Sequence, residues 1–423
     1  MSIVAASRPY PNRSVPLSTA SRSGWRRRRT TVVATSTPLF SLSLFMTYLK
    51  HAIAILLAGL SLDTYAQSAV TLYGTLDVGL NFTSNAGGHS AIQMASIDQT
   101  ISRWGLKGSE DLGGGLQAVF DLESGIDLES GTSAYGSRLF GYQSYLGLQS
   151  DRLGTLTFGR QTDAITDTIG LLTANGNWAG WLFSHPLDND NTDTTYHVNN
   201  SVKWTSPTLN GASAEVLIGL GNQAGAFAEN RVLSGGVTYA YGTLSLAAAI
   251  TRLSNPGANA EGAIASDDYA LQSAGQTTYG VGANYGLGKA TLGLVLTHAN
   301  VEQANASLYA GSLGLPKPDI SFNNIELNLK YDVSPMLFVG GMFTYSRAHV
   351  GRGADTAVIH WNQLGLMSQY SLSKRTACYL QLAYQQVSGN DGSSLSYGMI
   401  PGSAGISSNG HQVVTRIGVT HSF

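Results

Sequence analysis

The residues most able to do chemistry are charged side chains that flank one long connection. Four basic candidates lie on or next to strand-like segments, at Arg103, Arg138, Arg160 and Lys203. The connection itself, residues 162–198, contains five Asp and no Lys or Arg, and Asp163 and Asp167 come first. Opposed charged side chains set the selectivity of a narrow pore. We therefore expect these residues to act on passing ions and solutes, with bases on one wall and carboxylates facing them.

Side-chain alternation decides which of these charges can face an interior. Successive strand residues point to opposite faces, and this places Arg103 and Lys203 on polar faces. Arg160 has the parity of the apolar face, so it reaches the interior only if its strand ends or bulges at Gly159. Arg138 meets the same difficulty. A charge that faces lipid at mid-depth costs roughly 2–4 kcal/mol, which favours breaks in register over lipid-facing arginines.

The connection at 162–198 is long for a compact domain. A loop of this length without a period of its own is usually functional, and an alternating strand precedes and follows it. We expect it to fold into the interior of a barrel and to narrow it. A solvated surface loop is the alternative. Asp188, Asp190 and Asp193 on its return limb are assigned no role.

Signatures of catalysis and of metal binding are weak. The eight histidines after residue 66 show no HExxH or other ligand spacing, although His185 and His197 share the long connection and could meet. No GxSxG string occurs, and the glycine-rich strings lie inside alternating segments and do not open a helix. The single cysteine, Cys378, rules out an internal disulfide. We expect no enzyme activity, no metal and no cofactor.

The N-terminal residues differ in composition from the rest of the chain. Residues 1–45 are rich in Arg, Ser, Thr and Pro, and we interpret them as a leader that is extended or translated from an upstream start. Met46 opens a predicted signal peptide, 46–66, whose apolar core is too short for a membrane-spanning helix and which ends at the small residue Ala66. A twin-arginine signal is the alternative. Residues 67–423 are predicted to form one exported domain.

Charge argues against a nucleic-acid partner. Eight of the 24 Lys and Arg but only one of the 26 Asp and Glu lie in residues 1–66. The remaining chain therefore carries 16 basic and 25 acidic residues, a net charge of −9. An acidic exported chain has no electrostatic reason to bind nucleic acid.

Alternation of polar and apolar residues recurs along the whole of 67–423. We count sixteen such segments, joined by seven short turns and eight longer loops; polar loops are predicted after Phe82 to about Gln99 and near residues 225, 265, 310, 353 and 400. An even number of strands with short turns at one end and long loops at the other is typical of outer-membrane barrels. Sixteen strands leave room for an aqueous channel. The predicted fold is an all-β, 16-stranded antiparallel transmembrane barrel.

Five strings resemble the trimeric general porins of the Gram-negative outer membrane, in their betaproteobacterial branch. They are VTLYGTLDVGL, SRWGLKGSEDLGGGLQAVFDLESG, SYLGLQSDRLGTLTFGRQ, NNSVKWTSP and the closing GVTHSF. The resemblance implies short periplasmic turns, long extracellular loops, a third loop folded inward, and a homotrimer among outer-membrane lipid and lipopolysaccharide. It also implies that Phe423 is read by the barrel assembly machinery. Arg103, Arg160 and Lys203 match basic wall positions of the family's constriction.

The expected function is therefore passive diffusion of small hydrophilic solutes and ions through a water-filled channel in the outer membrane. Arg138 is a fourth candidate for the basic wall, and Asp163 and Asp167 are carried over by their place in the loop and not by a motif. A substrate-selective channel with a binding site in its lumen remains an alternative. An outer-membrane barrel enzyme is a further, weaker alternative.

Overall fold

The computed structural model describes residues 69–96, 99–353 and 355–423. The predicted leader at 1–45 and the signal peptide at 46–66 lie outside these residues. No helix in the described ranges is long and apolar enough to cross a membrane. Sixteen antiparallel strands form one closed barrel, as the alternation predicts.

The barrel strands follow one another in chain order around the wall. They are β1 (Ala69–Ala86), β2 in two segments (His89–Ala95 and Arg103–Gly113), β3 (Leu116–Asp127), β4 (Gln143–Ser150), β5 (Gly154–Gln161), β6 (Val198–Thr205), β7 (Ala212–Gly219), β8 (Val232–Tyr241), β9 (Leu244–Ser254), β10 (Gly275–Leu287), β11 (Ala290–Glu302), β12 (Ile320–Ser334), β13 (Leu337–Arg352), β14 (Asp355–Ser371), β15 (Thr376–Ser388) and β16 (His411–Ser422). β1 pairs with both segments of β2 and with β16, which closes the sheet. A closed barrel leaves no unpaired edge, as a membrane-spanning sheet requires.

Alternation assigns each wall residue to a face. In β5 the side chains of Leu156 and Phe158 point outward and are exposed, whereas Thr157 between them is buried inside. Thr157 pairs in register with Lys203 of β6, which also faces the lumen. The neighbouring Trp204 points outward, and its indole N–H donates to the Leu153 carbonyl at 2.8 Å. An aromatic ring at this turn suits the interfacial girdle of a membrane barrel.

Two of the eight predicted long loops are tight connections. β1 continues to Ala86 and returns as the first segment of β2 after only residues 87 and 88, and β13 and β14 are separated by only residues 353 and 354. These strands extend past the apolar belt into the region covered by the other loops. In the extension of β13 and β14 the inward side chains become apolar, because Val350 and Ile359 are buried against loop residues. Apolar residues therefore face inward and polar residues face outward, which is the reverse of the pattern within the membrane. In the sequence, the outward polar residues of this strand resembled those of a loop.

The connection after β5 folds into the barrel, as predicted; we call residues 162–197 the inner loop. It consists of short helical turns at Ile165–Ile169, Gly170–Leu172, Asn175–Ala179, Trp181–Phe183 and Pro186–Asp188. Ile165, Ile169 and Leu172 pack on Ala247 and Val295, while Trp178 and Phe183 belong to a second apolar cluster with the walls of β13 to β16. The inner loop thus covers the lumen side of β8 to β15 and leaves the opposite wall free.

Glycines in the wall allow this close approach. A Cβ on Gly365 of β14 would lie 2.3 Å from the Phe183 ring, and a Cβ on Gly340 of β13 would lie 2.5 Å from the Trp178 ring. Such distances are far inside van der Waals contact, so only a bare backbone lets both aromatic rings lie flat against the wall.

Candidate functional site

Two cavities occupy the lumen between the inner loop and the wall of β1 to β7. The cavity nearer the long loops has a volume of about 380 Å³ and is lined by Arg103 and Tyr142. The cavity nearer the short turns has a volume of about 640 Å³ and is lined by the strand residues Lys107 and Lys203. Three residues line both cavities, namely Gln143, Thr162 and Asp167. These shared residues mark the narrow point between the two volumes.

Arg103 stands on the wall of the first cavity, at the start of the second segment of β2. Its Nε donates to Oε1 of Glu123 at 2.7 Å, and its Nη1 donates to the Ile101 carbonyl at 3.0 Å. The guanidinium also lies over the Tyr142 ring, 5.2 Å from the centroid. These contacts fix the guanidinium in place while leaving its side chain 27% exposed to the cavity. Arg103 is therefore a positive charge that is fixed in position and partly neutralised by Glu123.

Lys203 connects the wall to the inner loop. Its ammonium group forms an ion pair with the Asp167 carboxylate, and Oε2 of Glu215 lies 3.8 Å away on β7. Asp167 in turn accepts a hydrogen bond from the Thr162 hydroxyl at 2.6 Å. The predicted basic and acidic sides thus meet here, with Lys203 flanked by two carboxylates.

Lys107 and Asp121 are pore-facing charges that we did not select from the sequence. They are directly paired between β2 and β3, and the Lys107 ammonium lies 4.6 Å from the centroid of the Tyr73 ring. The Tyr73 hydroxyl donates to Asp121 at 2.6 Å. Lys107 lies on the same face of β2 as Arg103. The polar character of that face in the sequence could therefore have identified Lys107 as a pore-facing charge.

Arg160 does face inward, because the pairing of β5 with β6 shifts register between Gly159 and Gln161. Its Nε donates to the Gly141 carbonyl at 2.7 Å, and its Nη2 forms an ion pair with Oδ2 of Asp268 at 2.6 Å. Its side chain is only 7% exposed. The guanidinium joins the loop before β4 to the loop between β9 and β10 and lines neither cavity.

Arg138 differs from the strand position that we expected, because β4 begins only at Gln143. Arg138 lies in the loop before β4, where its Nη2 pairs with Oδ1 of Asp267 at 2.6 Å in the loop between β9 and β10. A string of alternating residues, 137–142, precedes β4 without being part of it. This pair links two loops at the rim.

Asp163, the second residue of the inner loop, has no exposed surface, in contrast to its expected place opposite the basic wall. Its carboxylate accepts hydrogen bonds from the Thr251 hydroxyl of β9 at 2.5 Å and from the Asn191 amide at 2.9 Å. It therefore ties both limbs of the inner loop to the wall. Asp163 precedes the helical turn Ile165–Ile169 whereas Asp167 lies within it, and the two carboxylates bind different partners, Thr251 on the wall and Lys203 at the opening.

The return limb of the inner loop holds a buried charge cluster. Nδ1 of His185 lies 2.6 Å from Oδ2 of Asp190, and its Nε2 lies 3.2 Å from Oε2 of Glu326 on β12. Burial alone would lower the pKa of His185, but the two carboxylates outweigh it and raise the pKa to about 10. Burial and the charge of Asp190 raise the pKa of Asp188 to about 7. Asp188 accepts the backbone N–H of Asp193 at 3.1 Å.

The two histidines of the inner loop do not meet. His197 is buried between the rings of Tyr135 and Tyr142, with centroid separations of 4.9 and 5.1 Å. Burial, together with the nearby guanidinium groups of Arg160 and Arg138, holds its pKa well below the usual range. His197 is thus a neutral packing residue, whereas His185 is held as a cation by Asp190 and Glu326.

A second buried ion pair supports the wall where the barrel closes. Nη2 of Arg416 on β16 lies 2.6 Å from Oδ1 of Asp77 on β1. The Tyr379 hydroxyl donates to the other Asp77 oxygen at 2.6 Å and accepts from Nε of Arg416 at 2.7 Å. We did not select these residues from the sequence. Arg416 alternates with Ile417, and that parity places it in the lumen.

Comparison with known proteins agrees with this architecture. The family model described as Gram-negative porin matches residues 52–390. An outer membrane porin protein of Bordetella pertussis is 30% identical over 374 residues, which cover 78% of this chain and 92% of the relative. Outer membrane porin protein 32 of Delftia acidovorans is 26% identical over 394 residues, covering 88% of this chain and 99% of the relative.

Among solved structures, an anion-selective porin from Comamonas acidovorans superposes with a TM-score of 0.65 at 24% identity, covering 84% of this chain and 100% of that chain. OmpT of Vibrio cholerae in its trimer form gives a TM-score of 0.59 at 15% identity and covers 84% of this chain and 99% of that chain. Both share the barrel fold. The chain belongs to the Gram-negative porin family, and it is an outer-membrane channel for the passive diffusion of solutes.

Proposed function

We propose that small hydrophilic solutes and ions cross the barrel between the inner loop and the wall of β1 to β7. The observation that carries this proposal is the shared lining of the two cavities at Gln143, Thr162 and Asp167. In this assignment Arg103 and Lys203 supply the positive charges of the constriction, and Asp167 supplies the negative charge. Arg160, Arg138 and Asp163 hold the loops that shape it.

The constriction is proposed to have a mild preference for cations. Its three bases are Arg103, Lys107 and Lys203. Its carboxylates outnumber them, at Asp121, Glu123, Asp167, Asp193 and Glu215. Charges beyond about 8–10 Å are screened by salt, so these nearby groups dominate. The basic wall that we expect from the sequence is matched by carboxylates in this assignment, whereas the Comamonas relative is named as anion-selective.

The channel is proposed to act without catalysis. Among the described residues, the charged side chains along the route form ion pairs such as Arg103–Glu123 and Lys203–Asp167. Such pairs fix charge in place and do not activate a nucleophile. Diffusion through such a lumen requires only water, space and an entry at each end.

We place the subunit contacts of a homotrimer on the outer face of β4 to β7. These four strands have eight residues each, which span roughly 20 Å when tilted by about 40°, less than the apolar band of about 25 Å. Their exposed outward side chains are apolar, at Leu146, Leu148, Leu156, Phe158 and Val216. A short apolar wall suits contact with another subunit. Lipid and lipopolysaccharide would then contact the remaining outer surface, with the long loops facing the cell exterior.

Phe423 is proposed as the signal for the barrel assembly machinery. The Phe423 backbone N–H donates to the Gly74 carbonyl at 3.0 Å, and the Gly74 N–H donates back at 3.2 Å. The Phe423 ring lies over Gly74, where an added Cβ would be 2.5 Å from it. Phe423 therefore extends the seam between β1 and β16 by one residue pair.

Planar-bilayer recording of the purified protein tests the proposed function. Insertion should give stepwise, ohmic conductance, and a salt gradient should give a small reversal potential of the sign expected for cations. A folded barrel that inserts but passes no current would overturn the assignment of the two cavities as a continuous route. A reversal potential of the opposite sign would overturn only the proposed preference.

A further inference from the structure

Polar residues form two continuous rows on the outer face of the barrel. In register across β10 to β15 the first row runs through Tyr279, His298, Asn323, Arg347, His360 and Ser388. The second row, two residues nearer the long loops, runs from β9 to β13 through Arg252, Thr277, Asn300, Ser321 and His349. We call Arg252, His298, Arg347, His349 and His360 the basic band.

The basic band begins where the apolar surface ends. The row next to it towards the short turns contains the exposed side chains of Val281, Leu296 and Ile325. Asn323 lies eight residues along β12 from Tyr331 near the turn, which is roughly 20 Å of membrane depth at the usual strand tilt of about 40°. The band therefore lies close to the outer boundary of the hydrocarbon, at the level of lipid head groups.

The charge of the basic band is uncompensated. Within the described residues, no carboxylate lies within ion-pair distance of Arg347 or Arg252. On the described outer face of β11, the carboxylate of Glu302 follows two residues beyond the second row. This contrasts with the lumen, where Arg103 and Lys203 are paired. Two arginines left exposed without partners at the edge of an apolar belt need an external source of negative charge.

Neighbouring groups orient the band for a ligand. The Tyr345 hydroxyl lies 2.7 Å from Nδ1 of His360, and the two rings stack with centroids 5.9 Å apart. Nδ1 of His298 lies 2.9 Å from the Asn323 side-chain oxygen. Nδ1 of His298 and Nδ1 of His360 are thus engaged along the wall, and Nε2 is the second polar atom of each of these two rings. Arg347 pairs in register with both His360 and Asn323, about 5 Å from each neighbouring strand.

The basic band is confined to one side of the barrel. The outward side chains of β4 to β7 carry no Lys, Arg or His. Those strands form the face that we assign to subunit contact, whereas β9 to β14 carry the basic band and would face lipid. The distribution of charge therefore separates a protein-facing sector from a lipid-facing one.

We propose that the basic band is a binding site for the phosphate groups of an anionic glycolipid in the outer leaflet. Arginine binds phosphate through paired N–H donors, and Nε2–H of His360 adds a further donor when the Tyr345 hydroxyl donates to Nδ1 of that ring. The apolar row beneath contacts the acyl chains of the same lipid. This inference rests on the proposed orientation, in which the long loops face the cell exterior.

The test is a lipid titration of the folded protein in detergent. Lipid A with both phosphates is added to wild type, to Arg252→Gln/Arg347→Gln, and to the control Lys289→Gln/Lys374→Gln, which loses the same charge at the short-turn end. Binding is read by native mass spectrometry and by the rise in unfolding temperature. Each basic residue near an anionic lipid surface is worth about fivefold in affinity, so the band variant should bind roughly 25-fold more weakly. The control should bind like wild type.

Two results would overturn the proposal. Equal affinity of the band variant and the control would show that these arginines do not bind the lipid, and equal affinity of wild type for dephosphorylated lipid A would show that phosphate is not recognised. Bilayer conductance of the band variant should equal that of wild type. Loss of lipid binding with normal conductance supports the band without testing the channel, and absence of conductance in wild type would count against the channel alone. Protease access to the long loops on whole cells tests the orientation.

Discussion

Nε2 of His185 lies 3.2 Å from Oε2 of Glu326, and this contact joins the inner loop to β12 in the interior of the barrel. The other ring nitrogen lies 2.6 Å from Asp190 of the same loop. A buried imidazolium between two carboxylates is stable only as a complete set, because each remaining charge would otherwise be desolvated without a partner. The cluster therefore makes the docking of the return limb of the inner loop on β12 depend on His185.

Replacement of His185 should release the inner loop. Removal of one partner from a buried ionic cluster costs about 3–5 kcal/mol, so His185→Ala should lower the resistance of residues 162–197 to protease and increase current noise. His197→Phe is the control, because His197 is neutral and packed between aromatic rings. Limited proteolysis of both variants measures the effect. An inner loop equally protected in both variants would contradict the role of His185.

Docking of the inner loop should weaken as the pH rises. The pKa of His185 is raised to about 10 in the docked state, above its unperturbed value of about 6.5. Its stabilisation is therefore complete below pH 6.5 and is lost as the pH rises to about 10. The pKa of Asp188, raised to about 7, adds to the same trend because its ionisation places another negative charge beside Asp190. Channel noise should rise from pH 8 to 11 in wild type and not in His185→Ala, because His185 titrates in that range whereas Asp188 titrates below it. A rise on acidification only would be inconsistent with this cluster.

Ion selectivity should respond in opposite directions to the two members of the wall-to-loop pair. Asp167→Asn leaves Lys203 with Glu215 alone and should shift selectivity towards anions, whereas Lys203→Gln should shift it towards cations. One charge at about 4 Å in water is worth about 1 kcal/mol, or roughly fivefold in local ion concentration. Reversal potentials in a salt gradient give the shift. Changes of the same sign in both variants would remove this pair from the permeation route.

Wall glycines should be sensitive to one methyl group only where the inner loop packs. Gly365→Ala places a Cβ 2.3 Å from the Phe183 ring, whereas Gly341→Ala, on the neighbouring strand and the outer face, finds its nearest atom at 3.6 Å. Overpacking of this kind costs typically about 1–3 kcal/mol. The unfolding temperature should therefore fall in Gly365→Ala and stay unchanged in Gly341→Ala. Equal unfolding temperatures would mean that Phe183 moves aside without cost.

The sequence predicted the barrel well because its signal is local. Alternation fixes faces within each strand, and it correctly placed Arg103 and Lys203 inside the lumen. The sequence also showed that Arg160 could face inward only if the strand changed register at Gly159, and the structure has this register shift. Alternation carries less information where strands leave the membrane, so the extensions of β1 and β13 looked like loops.

The inner loop and its contacts were beyond the reach of such patterns. Its turns direct Asp163 to the wall and Asp167 to the opening, although the two lie four residues apart. The pairing of His185 with Glu326 joins residues 141 positions apart, and no local period records it. Arg138 was misplaced for a related reason, because alternation alone does not show that β4 begins at Gln143. Long-range packing decides these positions, and it must be seen in the structure.

The position of Asp167 at the narrow point of the route is tested most directly by chemical modification of a single cysteine. Asp167→Cys is made in a Cys378→Ser background, so that the only thiol lies between the two cavities, and single-channel conductance is recorded while a methanethiosulfonate reagent is added. We expect a stepwise fall in current as each thiol reacts, with the reagent effective from either side of the membrane. Complete labelling by mass spectrometry with unchanged conductance would contradict a route between the inner loop and the wall of β1 to β7.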